Sequence, residues 1–357
     1  MRFVHLDNCK DGMILGKSVY DHQGTLLLRR GGTLKQSHIE ALQNAGYPGI
    51  YLDDEFSKGL EVREVIDPVV RSQASAAVQG LFHSAKFKDF MKSAPVVEEI
   101  EEIINEIIHQ ISLKQDAVID LINFKAFDDY TFQHSVDVGI LSLILGRELK
   151  LKRFELISLG KAAFFHDIGK MFVPKNILNK PSALTREEFD EVKNHCQYGH
   201  NFLKEILKMP KYICDGALSH HERYEGGGYP HGLVGENIPL FARIIAVTDV
   251  YDAITSRRVY KDAMNASEAY EYVMSNVGKH FDPKVAAAFL YKIAPYPVGT
   301  LVLLSNGRKA MVMENTSSLM MRPLVKLVPE GTSEGEPEYI NLARELAARN
   351  ITIVGLA

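Results

Sequence analysis

Between residues 116 and 292 the chain keeps returning to one pattern, in which apolar side chains recur every three or four positions and Gly, Pro or polar stretches separate the runs. That spacing follows the 3.6-residue turn of an α-helix and not the two-residue alternation of a strand. It predicts helices at Val118–Phe124, Val136–Leu149, Phe154–Phe165, Arg186–Leu207, Ile213–His221, Ala242–Ile254, Ala266–Asn276 and Pro283–Ala294. An all-α domain over residues 116–295 follows from it.

The flanks read differently, and 357 residues exceed one comfortable core. Residues 1–66 predict a small α+β unit. Met13–Tyr20 and Thr25–Leu28 are strand-like runs joined by a turn at Asp21-His22-Gln23-Gly24, and Ile50–Leu52 is a further strand. Ser37 with Glu40 has the capping-box spacing that opens a helix. Residues 67–115 predict a helical linker, broken at Ser93-Ala94-Pro95. Beyond the break Val97, Ile100, Ile104, Ile107, Ile108 and Ile111 form one stripe, with Glu98, Glu99, Glu101, Glu102 and Glu106 off it. The stripe reads as a packing seam onto the next domain, with homodimerisation through helix 97–112 as the alternative. Residues 296–357 are mainly β: Gly299–Leu304 and Lys309–Glu314 flank the hairpin signal Ser305-Asn306-Gly307, Leu324–Val328 continues the pattern, and Ile351–Val354 is a last strand. Gly331–Pro337 reads as a solvent loop. The expected fold class is therefore multidomain and mainly α, an all-α catalytic domain between a small α+β domain and a β appendage.

A net charge of -4 gives no basic excess for DNA or RNA binding. The longest apolar runs, such as Ile140–Leu145, fall short of a membrane span, and the N-terminus lacks the apolar core of a signal peptide. Cys9, Cys196 and Cys214 are odd in number and far apart, which points to a reducing compartment and away from a zinc ribbon. The expected location is the cytoplasm.

Chemistry concentrates around His166-Asp167-Ile168-Gly169-Lys170. A neutral imidazole and a neighbouring carboxylate can ligate one divalent ion, and the second carboxylate oxygen can reach another. Gly169 permits a sharp turn or close approach to a ligand, and Lys170 offers a point charge suited to phosphate. His134, His195, His220, His221 and Asp249 also fall in the helical region, and an Asp after the run Ile244-Ile245-Ala246-Val247-Thr248 is costly to bury unless it is paired or binds metal. Together these are seven nitrogen and oxygen donors and no thiolate, a set suited to two ions bridged by one carboxylate. His200 points away from the face of His195, and His231 and His280 have no partner at ligand spacing, so all three are left out.

The order His134, His166-Asp167-Ile168-Gly169-Lys170, His195, then His220-His221-Glu222 leading into Gly226-Gly227-Gly228-Tyr229-Pro230-His231-Gly232-Leu233, then Asp249, resembles the HD-GYP subgroup of the HD-domain metal-dependent phosphohydrolases. The similarity runs from about residue 125 to about residue 294. The resemblance implies an HD-type helical domain that hydrolyses cyclic dinucleotides, chiefly cyclic di-GMP, with cyclic GMP-AMP as an alternative substrate. It implies a metal set in which His134, His166, Asp167 and Asp249 complete one site and His195, His220 and His221 the other, with Asp167 bridging. Iron or manganese is the expected metal. Members with a third ion carry Glu where this chain has Tyr130, so two ions are expected. A hydroxide bridging the ions would attack phosphorus, giving linear pGpG and then GMP. Lys170 would contact the phosphoryl oxygens, while Asp252 would orient a ligand or protonate the leaving group. Gly228, Tyr229 and Pro230 would meet the substrate, and Arg258 and Lys261 would hold its second phosphate. Rival readings are a cyclic-dinucleotide sensor with little turnover and a nucleotidase.

Overall fold

The computed structural model describes residues 1–21, 25–45, 47, 49–58, 60, 65–85, 90–113, 130–256, 264–316, 319–329 and 337–357. The predicted helix at Val118–Phe124, most of the turn at 21–24, most of the loop at 331–337 and the cations Arg258 and Lys261 therefore lie outside the described residues.

The chain opens with strands β1 (Arg2–His5) and β2 (Ile14–Leu15), the paired β3 (Val19–Tyr20) and β4 (Leu26–Leu28), helix α1 (Gln36–Asn44) and strand β5 (Gly49–Asp53). β5 is central in the antiparallel order β1-β5-β2 and is buried over Gly49–Leu52. Leu15, Leu34, Ile39, Leu42, Ile50 and Leu52 close a small core of their own. Three details differ from the sequence expectation. The run Met13–Tyr20, expected as one strand, divides into β2, which pairs with β5, and β3, which pairs with β4. β1 was not expected, because four residues are too short to display a two-residue period. Lys35, not Ser37, is the N-cap of α1, with its N–H bonded to His38 Nδ1 at 3.3 Å.

The helices then follow without interruption by strands: α2 (Pro68–Ala85), α3 (Phe90–Leu113), α4 (Tyr130–Glu148), α5 (Arg153–Phe164), α6 (Lys175–Leu178), α7 (Arg186–Lys193), α8 (His195–Asn201), α9 (Lys211–Leu218), α10 (Leu240–Thr255), α11 (Ala266–Ser275) and α12 (Pro283–Lys292). α4 and α10 pack against each other in the middle and are buried on nearly every side. A helix surrounded by others needs no polar face, which is why Val136–Leu145 and Ala242–Val247 are almost continuously apolar. Inside this pair Ser142 and Thr248 satisfy each other at 2.9 Å.

Three expectations for this region need correction. Pro95 does not break the linker; it sits in the second turn of α3. The isoleucine stripe Ile100, Ile103, Ile104, Ile107, Ile108 and Ile111 is buried within this one chain, in the same core as α2 and α5, so homodimerisation through helix 97–112 loses the apolar face it required. The single helix expected over Arg186–Leu207 divides at Asn194 into α7 and α8, and a π-type turn at Phe202–Ile206 follows. The division has a local cause. Asn194 N–H bonds three residues back to the Glu191 carbonyl at 3.1 Å, and His195 takes the Val192 carbonyl with its own ring.

The C-terminal segment forms an antiparallel sheet ordered β10-β6-β7-β8-β9, with β6 (Leu301–Leu304), β7 (Lys309–Glu314), β8 (Leu324–Leu327), β9 (Tyr339–Asn341) and β10 (Ile353–Leu356). β6 and β7 are the hairpin that Asn306-Gly307 announced, with Gly307 at φ +84°. This sheet also touches the N-terminal unit. Lys326 on β8 reaches across to donate to the Phe56 carbonyl at 2.8 Å, and Phe3 N–H bonds the Gly299 carbonyl at 3.3 Å. No described helix is long and apolar enough to cross a membrane.

Candidate metal centre

Three of the histidines are set by one device. His166 follows the end of α5, His195 the end of α7 and His220 the end of α9, where the last carbonyls of a helix have no partner within it. Each ring turns back and donates Nδ1–H to the carbonyl three residues earlier: His166 to Ala163 at 2.7 Å, His195 to Val192 at 2.6 Å, and His220 to Ala217 at 2.7 Å. The bond terminates the helix and fixes the tautomer at once. Nε2 is left as a bare acceptor pointing inward, which is what a metal ligand needs.

His134 is placed from the other side. It lies on α4, and its Nδ1–H meets Asp252 Oδ2 of α10 at 2.6 Å, so Nε2 faces Asp249 Oδ1 at 3.0 Å. Asp252 is fully buried, and Ser256 Oγ donates to its backbone carbonyl at 2.5 Å. Of the two roles expected for Asp252, orienting a ligand is the one this geometry fits. Protonation of a leaving group needs access to substrate, and a fully buried carboxylate behind His134 does not have it.

Asp167 sits between two groups of imidazoles. Its Oδ2 lies 3.5 Å from His166 Nε2 and 3.8 Å from His134 Nε2, while Oδ1 lies 3.5 Å from His195 Nε2 and 4.0 Å from His220 Nε2. His221 Nδ1 is 3.8 Å from Asp249 Oδ2 and closes the ring. The seven predicted donors thus come together from five separate stretches of chain. Lys170 donates to Asp167 Oδ2.

The environment is dry and charged. Burial pushes the imidazoles of His166, His195 and His220 below their ordinary value, and His221 down to about 3. His134 goes the other way: burial opposes its protonation, but Asp249 and Asp252 outweigh it and raise it to about 9. Burial likewise opposes ionisation of Asp167 and Asp249, yet Lys170 beside the first and His134 beside the second hold both well below the usual carboxylate range. Two buried polar atoms, His166 Nε2 and Asp167 Oδ1, have no hydrogen-bond partner. Orphaned acceptors of this kind cost roughly 1–3 kcal/mol each unless something satisfies them. Cations between the imidazoles and the carboxylate would do so, and the donor set fits divalent metals. Ligand atoms of His134, His166 and Asp167 lie within 4.8 Å of one another, and so do those of His195, Cys196, His220 and His221.

Gly169 and the glycine loop are constrained by their own backbone surroundings. A Cβ on Gly169 would lie 1.8 Å from the His195 carbonyl oxygen and 2.5 Å from Gly199 N, so its bare backbone seats α8 rather than a ligand. Gly226 and Gly227 have φ of +98° and +77°, which side chains rarely adopt. A Cβ on Gly228 would meet the Glu222 and Arg223 backbone at 2.5 Å. Tyr229 nevertheless leans over the site, its ring 4.7 Å from that of His221 at 33°. Gly228 and Pro230 flank it.

Reading by residue type missed three side chains here. Glu222 is buried, with Oε1 accepting from His231 N–H at 2.7 Å and Oε2 from Leu233 N–H at 3.0 Å, so it holds the far arm of the glycine loop. Lys193 Nζ stands 5.8 Å from the Tyr229 ring centroid. Cys196 lies beside His195 in the cluster, although no thiolate was expected. His200, His231 and His280 stay outside it, as predicted.

An all-helical core whose central helices and helix ends converge on His and Asp side chains defines the class. Residues 116–285 match the family model for the HD domain, so this stretch of the chain is similar to that family. Among particular relatives, a cyclic di-GMP phosphodiesterase of Pseudomonas aeruginosa is 41% identical over 256 residues, covering 72% of this chain and 61% of that protein. A cyclic di-GMP phosphodiesterase of Thermotoga maritima is 40% identical over 167 residues, 46% of this chain and 45% of its own length. A 3'3'-cGAMP-specific phosphodiesterase of Vibrio cholerae is 32% identical over 194 residues, 53% and 37% respectively. The chain therefore spans less than two thirds of these relatives' own length. Among solved structures, one described as an HDG"Y"P protein from Bdellovibrio bacteriovorus shares the fold at a TM-score of 0.50 and 15% identity, covering 81% of this chain and 97% of that one.

Proposed function

We propose that this protein is a metal-dependent phosphodiesterase that opens cyclic di-GMP to linear pGpG and carries it on to GMP. The observation that supports it most is the position of Asp167, one oxygen toward His134 and His166 and the other toward His195 and His220. A carboxylate shared in this way is the natural bridge of a two-ion site. His134, His166 and Asp249 would hold one ion, and His195, His220 and His221 the other. Two divalent ions, iron or manganese by donor type, would supply water activation near neutral pH and a positive clamp on the phosphate oxygens.

The chain's own groups supply the rest. Asp252 keeps the His134 tautomer fixed, and the Ala163, Val192 and Ala217 carbonyls do the same for the other rings, so the ligands need no rearrangement when substrate arrives. Lys170 is partly exposed and sets a positive charge beside Asp167, where a phosphoryl oxygen can accept a hydrogen bond from its ammonium group. Tyr229, fixed by the Glu222 clamp, presents an aromatic face on which a guanine can stack. Gly228 and Pro230 line the same loop, and Arg258 and Lys261 are proposed, from sequence, for the second phosphate.

In domain terms we place the catalytic unit at 116–295, behind an accessory unit at 1–66 and a helical linker at 67–115, and before a β extension at 296–357. The three cysteines are free and buried, which supports a reducing, cytoplasmic setting. Chromatography of products decides the reaction. Manganese- or iron-loaded protein should convert cyclic di-GMP to the linear dinucleotide and, more slowly, to GMP, while nucleoside mono- and triphosphates stay intact. Cleavage of cyclic GMP-AMP in preference to cyclic di-GMP would change the substrate, phosphate release from mononucleotides would make it a nucleotidase, and binding without turnover would make it a sensor.

A further inference from the structure

Cys196 is buried completely and sits in the first turn of α8, directly after His195. Its Sγ is 3.5 Å from His195 Nε2, the same separation as His195 Nε2 has from His220 Nε2. Ligands about 2.0 to 2.3 Å from one tetrahedral ion stand about that far apart. The thiol is within 4.8 Å of donor atoms on His195, His220 and His221 alike. A second observation marks the same spot: Asp167 Oδ1, buried and without a hydrogen-bond partner, is 3.5 Å from His195 Nε2. The pocket therefore has an unsatisfied carboxylate oxygen on one wall and sulfur on another.

We propose that Cys196 is a ligand to the ion held by His195, His220 and His221, so that this pocket is a three-imidazole, one-thiolate site sharing Asp167 with its all-nitrogen-and-oxygen neighbour. The inference rests on the reading of the cluster as a metal centre and refines it. On binding, the Sγ–H bond breaks, its proton passes to solvent, and the sulfur lone pair forms the bond to the ion, with no change of oxidation state. A thiolate favours the softer first-row ions, so the two pockets differ in preference: iron, cobalt or zinc in the one with Cys196, and manganese tolerated in the other.

The test uses the full chain, stripped of metal by a chelator under reducing conditions and titrated with Co2+. Sulfur-to-cobalt charge-transfer absorption should rise in the near ultraviolet together with the visible ligand-field bands. Cys196→Ser should lose the ultraviolet band and keep the visible ones, and its preference for zinc over manganese should fall by roughly tenfold. The double variant Cys9→Ser with Cys214→Ser should keep both sets of bands. X-ray absorption on the zinc-loaded wild type needs no variant and should show sulfur at about 2.3 Å. Visible bands without the charge-transfer band, or a zinc shell of nitrogen and oxygen alone, would overturn the thiolate ligand and leave the metal centre standing. A charge-transfer band that survives in Cys196→Ser would overturn it too. Failure to bind cobalt at all would overturn both readings.

Discussion

Replacing Gly169 by Ala adds a single methyl group at the tightest point of the site. That methyl would lie 1.8 Å from the His195 carbonyl oxygen, 2.5 Å from Gly199 N and 2.7 Å from the His195 carbonyl carbon, all backbone atoms that cannot swing aside. Bringing the first contact from 1.8 Å to the 3.4 Å of ordinary contact requires α8 to retreat by about 1.6 Å. Inserting a methylene into a filled core costs about 1–3 kcal/mol when side chains absorb it. Here a helix must move, so about 3 kcal/mol is the fair expectation, which for a helical unit of this size lowers Tm by roughly 6–12 °C. The metal site should suffer more than the fold, because α8 carries His195 away from Asp167, and a displacement of about 1 Å costs on the order of 100-fold in rate. Elemental analysis and thermal unfolding, with and without chelator, measure the two effects separately. Wild-type metal content in the Gly169→Ala protein, with a Tm within about a degree or two of wild type, would refute the clash with α8.

Asp167→Asn should empty both pockets at once, since the amide keeps one oxygen and no charge where the carboxylate offers an oxygen to each cation; full metal content in that variant would refute the bridging role. Asp252→Asn keeps a hydrogen-bond partner for His134 Nδ1 but removes its charge, and should weaken metal affinity by about 10- to 100-fold in a competition titration, with the fold unchanged by circular dichroism. In metal-free protein the four depressed histidines bind protons in the unfolded chain that the folded chain refuses, so stability should fall as pH drops below about 6.5 and continue falling toward the value of about 3 for His221. Asp167 and Asp249 act in the same direction and His134 in the opposite one, its contribution being lost only as pH rises through about 9. A Tm that is flat or rises between about pH 6.5 and about pH 4 would contradict this sum. Glu222→Ala frees two backbone donors and should speed hydrogen exchange at His231 and Leu233; unchanged protection there would show that the loop does not depend on the clamp.

Residue type alone named the seven side chains that the structure brings together around Asp167. Helical period located α5, α9, α10, α11 and α12 to within a few residues and α4 apart from its first six, because each buries a broad apolar surface that repeats with the turn. The seven His and Asp donors were legible because little else explains so many of them among apolar helices. What stayed hidden depends on approach between distant backbones. Gly169 read as a sharp turn or a close approach to a ligand, and only its distance to α8 reveals a seat for a neighbouring helix. Ile100 to Ile111 could serve a partner or the chain itself, and nothing in a periodic stripe says which.

Cys196 was hidden for a different reason. Counting cysteines asks whether they pair with each other or space themselves as a zinc ribbon, and three distant residues answer no to both. The question that matters is which donors lie beside an existing ligand on a helix end. Ending a helix with a histidine ring bonded back to its last carbonyl frees the chain to turn there, as it does at Asn194 between α7 and α8. That turn starts α8 afresh with His195, and the next residue falls into the same buried wall. The sulfur meets the cluster from the first turn of α8, 3.5 Å from Nε2 of the neighbouring His195.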